Sequence, residues 1–173
     1  MVKKIFWIIL ILVLTILVFK TPKKQTTTIT NANILYFAYG SNMNLEQMKS
    51  RCQNNWSKIS NGILKNYEFG FDKSGYANIK ETQDKEVIGV LYSLTQPCLD
   101  SLDGYEGYPN HYNRKTVSIT GLENKITYQA WIYIQPKENF NGIANKPYLD
   151  TIITGGKENN LPKDWIKYLN TFK

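Results

Sequence analysis

The chain has 173 residues, 42% of them hydrophobic, and a formal net charge of +7. Five lysines and no acid fall in the first 30 residues, so the rest carries 16 basic against 14 acidic side chains, a balance of only +2; Arg51 and Arg114 are the only arginines, neither lies in a basic cluster, and a surface that tracks nucleic-acid phosphates is therefore not expected. His111 is the only histidine, and with Cys52 and Cys98 as the only cysteines the chain cannot assemble an ordinary His/Cys zinc site, so neither metal nor cofactor is expected.

The first element is Ile5 to Phe19 (IFWIILILVLTILVF), apolar apart from Thr15 and bracketed by Lys3, Lys4 and Lys20. At about 1.5 Å per residue it covers roughly 22 Å, enough to cross a bilayer if the flanking lysines snorkel. A signal peptide fits the same pattern, but no small-residue cleavage site follows Phe19, which favours an uncleaved membrane anchor over 1–20. Lysines flank both ends, so orientation is weakly determined; the domain is expected outside the cytoplasm. A polar linker over 21–31 leads into a single domain over 32–173. In an oxidising compartment Cys52 and Cys98 would be free to pair, and otherwise they read as buried small hydrophobes.

Within the domain, alternation and β-branched or aromatic enrichment predict strands at Ile34–Ala38, Ile63–Phe71, Tyr76–Glu81, Val87–Leu94, Tyr112–Ile119 and Ile126–Ile134. Helices are predicted after Asn44 (LEQMKSRC), after Thr95 (QPCLDSL), at Pro147 (YLDTIITGG) and after Pro162 (KDWIKYLNTF). Strands crowd the middle and helices the ends, which argues for an α+β fold, a small mixed β-barrel flanked by helices.

Two stretches stand out chemically. The first strand ends in Tyr39-Gly40-Ser41-Asn42, where Gly40 permits a sharp turn and Asn44 with Gln47 fits a capping box, so main-chain N–H groups are left free beside a positive helix terminus. Such a turn suits a carboxylate, although turns of this kind also occur as plain structure. The second is LDSLDGYEGYPNHY, Leu99 to Tyr112, in which Glu106 sits in a Gly/Pro loop among Tyr105, Tyr108 and Tyr112. A lone loop glutamate is usually solvated, but aromatic walls raise a carboxyl's pKa toward the range useful for proton transfer. Asp103 reads as a second carboxylate or a helix-end structural residue, and Arg114 as a ligand for a substrate carboxylate or an ion-pair partner.

Together, YFAYGSNMN, VIGVLYSLTQPCLDSLDGYEGYPNHYNRKTVSI and PYLDTIITGGKENNLPKDWIKYL resemble the three signature regions of the gamma-glutamylcyclotransferase family, in the same order. The resemblance implies a small β-barrel flanked by helices. It implies Glu106 as the catalytic acid/base, and Tyr39, Gly40, Ser41, Asn42 and Met43 as the substrate-binding loop, with Tyr112 and Tyr148 also lining the pocket. The implied partner is a small γ-glutamyl peptide or amide, and the implied reaction is closure of its glutamyl group to 5-oxoproline, which needs no protein nucleophile because the substrate supplies its own amine. Where relatives often carry GAKENGLP this chain has GGKENNLP; Asn160 is the next-best residue after glycine for a left-handed helix cap. The alternative expectation is a catalytically silent small-molecule-binding accessory module at the membrane.

Overall fold

The computed structural model describes residues 33–173. The expected membrane segment and linker, 1–20 and 21–31, lie outside the described residues; among those described, no helix is long and apolar enough to cross a membrane.

Five strands form a closed barrel in the order β1-β3-β2-β4-β5: β1 is Ile34–Ala38, β2 Trp56–Phe71, β3 Ala77–Leu94, β4 Asn113–Gly121 and β5 Thr127–Ile134. All neighbours are antiparallel except β1 and β5, which close the barrel in parallel at Tyr36↔Trp131. Closure leaves no edge among these strands for another chain to extend. Because the lining is apolar and helices cover parts of the outside, consecutive residues such as Tyr36, Phe37 and Ala38 are all buried, a run rather than an alternation.

The strand boundaries correct the sequence reading in two places. Residues 56–62 are too polar to signal a strand, yet β2 begins at Trp56, because its start pairs with the end of β3 (Trp56↔Leu94). The two strands expected at Tyr76–Glu81 and Val87–Leu94 are one, β3. Its pairing jumps from Lys65↔Glu86 to Tyr67↔Glu81, so the polar residues 82–85 bulge out of the ladder around Asp84, whose φ is 59°.

A short 3₁₀ turn, Ser41–Met43, follows β1 and leads into α1, Leu45–Cys52. Helix α2, Gln96–Glu106, follows β3, and α3 (Lys146–Glu158) and α4 (Lys163–Asn170) close the chain. Asn44 caps α1 by accepting from the Gln47 N–H at 2.9 Å, but the Gln47 side chain turns to Ser41 and Asn42 instead of completing a capping box. Helix α2 runs four residues past its predicted end, through Gly104, and stops only where Gly107 takes up the left-handed conformation (φ 63°). Glu106 is thus the last residue of a helix and not a loop residue. A disulfide joins Cys52, the last residue of α1, to Cys98 in the first turn of α2.

Candidate active site

The turn after β1 is held from behind by α3. A Cβ on Gly155 would lie 2.3 Å from the Asn44 nitrogen and 2.5 Å from the Met43 carbonyl carbon, so only glycine lets the two backbones approach this closely. From the same helix end the Asn159 amide donates to the Met43 carbonyl at 2.7 Å, and Glu158 accepts from the Leu45 N–H at 3.0 Å. Asn160 follows in the left-handed region (φ 58°), the conformation its sequence position suggests. The GGKENN stretch is therefore the buttress of the Ser41–Met43 turn.

In front of that turn lies a cleft of about 280 Å³, its mouth included, lined by Tyr36, Tyr39, Gly40, Ser41, Asn42, Ala77, Glu106, Tyr112, Tyr133 and Tyr148. Its lining of phenols, an amide and a carboxyl suits a small polar moiety. Of the residues expected from sequence, Tyr39, Gly40, Ser41, Asn42, Glu106, Tyr112 and Tyr148 meet here. Met43 does not line it: its side chain is wholly buried in the core, and only its carbonyl serves the site, as the acceptor for Asn159. At Gly40 a Cβ would sit 3.1 Å from the Tyr148 hydroxyl and 3.2 Å from the Ala77 Cβ, so the missing side chain lets that hydroxyl close over the turn.

The aromatic surroundings of Glu106 also differ from those its neighbours in sequence suggested. Tyr105 points outward and stacks under the Arg51 guanidinium, 4.6 Å from ring centroid to Cζ, and Tyr108 does the same for Arg114 at 4.4 Å. The walls come instead from β1 (Tyr36, Tyr39), β5 (Tyr133), α3 (Tyr148) and Tyr112 just before β4. A helix sends residues 105 and 106 in directions 100° apart, which is why adjacency in sequence misled. Asp103 accepts from the Tyr133 hydroxyl at 2.7 Å and pairs with Arg114 at 3.6 Å, so both belong to a structural network behind the cleft.

The Asn42 amide is the hub. Its Nδ2 donates to the Tyr36 hydroxyl at 2.9 Å and to Glu106 Oε1 at 3.0 Å, while its Oδ1 accepts from Arg51 at 2.7 Å and from Gln47 at 3.2 Å. All four hydrogen-bonding positions of the amide are in use. Sequence reasoning missed Tyr36, Tyr133 and Arg51. The signal for Arg51 was there, since Gln47 and Arg51 are four residues apart on one face of a helix that starts directly behind the turn.

Burial pushes the Glu106 carboxyl above its usual range, against the opposing pull of Arg51, the Asn42 hydrogen bond and the charge on His111. Its side chain keeps 17% exposure, enough to reach a ligand from the cleft wall. Burial, with the charge on Glu106 adding to it, also raises Tyr36, Tyr39, Tyr112, Tyr133 and Tyr148. These phenols therefore stay protonated. Tyr39 and Tyr112 donate to the main-chain carbonyls of Tyr133 (2.5 Å) and Ala77 (2.7 Å), which locks both rings in the wall. The arrangement offers one carboxyl held above its usual range by burial, facing the Gly40–Asn42 turn across a neutral polar cleft.

Comparison with known proteins gives a consistent answer. A family model described as Gamma-glutamyl cyclotransferase, AIG2-like matches residues 36–153. Gamma-glutamylcyclotransferase of Bos taurus is 30% identical over 156 residues, covering 82% of this chain and 79% of that protein. The Homo sapiens protein of the same name is 28% identical over 163 residues, covering 87% and 84%. A solved structure of a protein named Gamma-glutamyl cyclotransferase superposes with a TM-score of 0.74 at 25% identity, over 82% of this chain and 88% of that one. YkqA from Bacillus subtilis shares the fold, with a TM-score of 0.70 at 22% identity.

Proposed function

The chain belongs to the gamma-glutamyl cyclotransferase, AIG2-like family, and from that membership we propose that it cyclises the γ-glutamyl group of a small peptide or amide to 5-oxoproline, with Glu106 as general acid/base. The observation that carries this reading is the 3.0 Å hydrogen bond between Asn42 and Glu106, which brings the turn after β1 and the end of α2, 64 residues apart, to one cleft.

In the proposed reaction the α-amine nitrogen of the glutamyl group attacks its own γ-carbonyl carbon. A C–N bond forms within the substrate, the original amide C–N bond breaks, and 5-oxoproline and a free amine or amino acid leave. Both the attacker and the leaving group are in the substrate, and holding them in register converts binding energy into an effective molarity that can reach about 10⁵ M or more. What remains for the protein is proton transfer and positioning. Glu106, ionised, takes a proton from the α-ammonium and returns it to the departing nitrogen. Its raised pKa makes that exchange closer to balanced near neutral pH than it would be for a solvated glutamate. The N–H groups of the Gly40–Asn42 turn take the α-carboxylate, and the neutral phenols of Tyr39, Tyr112 and Tyr148 shape the cleft without competing charge.

The test is Glu106→Gln, which keeps shape and removes the base. Release of 5-oxoproline from a γ-glutamyl dipeptide is expected to fall by roughly 10²- to 10⁴-fold with binding retained. Undiminished release overturns the assignment of Glu106. Dipeptide binding to the unmodified protein without any cyclisation would indicate a silent binding module instead.

A further inference from the structure

Arg51 is not among the residues that line the cleft, yet it reaches the cleft's two central groups, Asn42 and Glu106. We propose that Arg51 is a positioning residue for the cyclisation: it fixes the orientation of the Asn42 amide and, through it, which carboxylate oxygen Glu106 presents to the substrate. This inference rests on the cyclotransferase reading of the cleft.

One guanidinium nitrogen donates to Asn42 Oδ1 at 2.7 Å and to Glu106 Oε1 at 3.4 Å, with both the Arg51 and Glu106 side chains largely buried. A guanidinium has donors only, so it selects the amide face that carries oxygen. With Oδ1 turned to Arg51 and Gln47, the Asn42 NH₂ must face Tyr36 and Glu106. The reversed amide would set an oxygen lone pair against the carboxylate and an NH₂ against the Arg51 and Gln47 donors, losing three favourable contacts together and keeping only that with the Tyr36 hydroxyl, which can donate as well as accept. The hydrogen bonds to the Glu106 side chain among the described residues, from Asn42 and from Arg51, both fall on Oε1. Oε2 is thereby the oxygen left to carry the proton.

Arg51 is itself anchored to the helix that carries Glu106. Its carbonyl accepts from the Ser101 hydroxyl at 2.7 Å, its guanidinium stacks on Tyr105, and the next residue, Cys52, is bonded to Cys98. Three ties from α2 to α1 hold one short distance, between Arg51 and Glu106. The groups facing Glu106 are Arg51 from α1, His111 from the segment after α2, and the phenols of Tyr36, Tyr39, Tyr112, Tyr133 and Tyr148. The phenols are neutral, and His111 is common to every variant below, so a change on replacing Arg51 reports Arg51.

The experiment compares the wild-type protein with Arg51→Met, which keeps length and loses every donor, and Arg51→Lys, which keeps charge but not the planar fork. It reads kcat and KM for a γ-glutamyl dipeptide against pH and, independently of turnover, the titration of Glu106 by carboxyl ¹³C NMR. Arg51→Met is expected to lower kcat by roughly 10- to 10²-fold with KM little changed. Loss of the cation disfavours the carboxylate, so the acid limb of the rate profile and the NMR titration should both move to higher pH. Arg51→Lys should return both to near their wild-type positions while restoring only part of kcat. A Met variant with wild-type kcat and titration overturns the proposal, as does a kcat loss with the Glu106 titration unmoved, which is the mark of a merely structural residue. If the Met variant fails to fold, Arg51→Lys decides alone: full wild-type kcat overturns the role and a partial loss supports it. A wild-type protein that releases no 5-oxoproline refutes the proposed function, and the NMR titration then still judges the coupling of Arg51 to Glu106.

Discussion

Glu106, proposed above as the acid/base, is also a residue whose charge opposes folding. Its pKa is raised in the folded protein, chiefly because burial disfavours the charged form. A carboxyl with a raised folded-state pKa binds more protons folded than unfolded between the two values, so stability is full below the unfolded pKa and declines as pH rises through the folded one. At neutral pH the ionised glutamate therefore weighs against the fold. Glu106→Gln mimics the protonated form in size and removes that charge. The variant is expected to melt above the wild type at neutral pH, with the difference closing as pH falls below the ordinary carboxylate range. Calorimetric melts of both proteins across pH 4–8 check it, and a glutamine variant that melts below the wild type at neutral pH would show that the ion pair with Arg51 outweighs burial.

Among the elements, α3 acts on the site without lining most of it. Its last turn meets the Ser41–Met43 turn backbone to backbone at Gly155, and a methyl there has no flexible neighbour to displace, since the atoms in its way are main-chain atoms of Met43 and Asn44. Gly155→Ala is expected to cost about 1–3 kcal/mol in thermal or denaturant unfolding, the usual range for overpacking. Activity should fall further than stability alone explains, because the displaced turn carries the Asn42 hub; an alanine variant with wild-type kcat would show that the turn can shift without consequence. This coupling was not legible in the sequence. The pattern of GGKENN announces a helix end, and Asn160 is a readable cap, but nothing in the spacing says that Gly155 faces residues more than a hundred positions earlier. The same holds for the tyrosines. Apolar and aromatic periodicity reveals β1, β4 and β5 to within two residues, because burial imposes it, whereas Tyr36 and Tyr133 join the cleft only through barrel closure. The polar run 82–86 reads as a break between strands because polar runs normally are. Here the ladder continues past it because the apolar flanks on both sides pair with one continuous partner. Family motifs located Glu106 and the Gly40 turn; which atoms meet was a matter of tertiary structure.

At the scale of the whole molecule the barrel supplies the rigid frame, and the disulfide ties to each other the two helices that face each other across the Arg51–Glu106 contact. Cys52 and Cys98 are 46 residues apart, and closing a loop of that length in the unfolded chain is worth about 4 kcal/mol in the chain-entropy description. Reduction, or Cys52→Ser with Cys98→Ser, is therefore expected to lower the melting temperature by roughly 10–15 °C for a domain of this size. Bonds of this kind persist in oxidising compartments and are rare in the cytosol, which agrees with the sequence-based expectation of a domain outside the cytoplasm, and we propose that location for it. Both points meet in one experiment. Cells are lysed in the presence of a thiol-blocking maleimide, and the domain is then melted with and without prior reduction. The expected result is unblocked cysteines and a melt that falls only on reduction. Two blocked cysteines in freshly lysed cells would place the domain in a reducing compartment, and an unchanged melt after full reduction would mean that packing between α1 and α2 holds the site without the covalent tie.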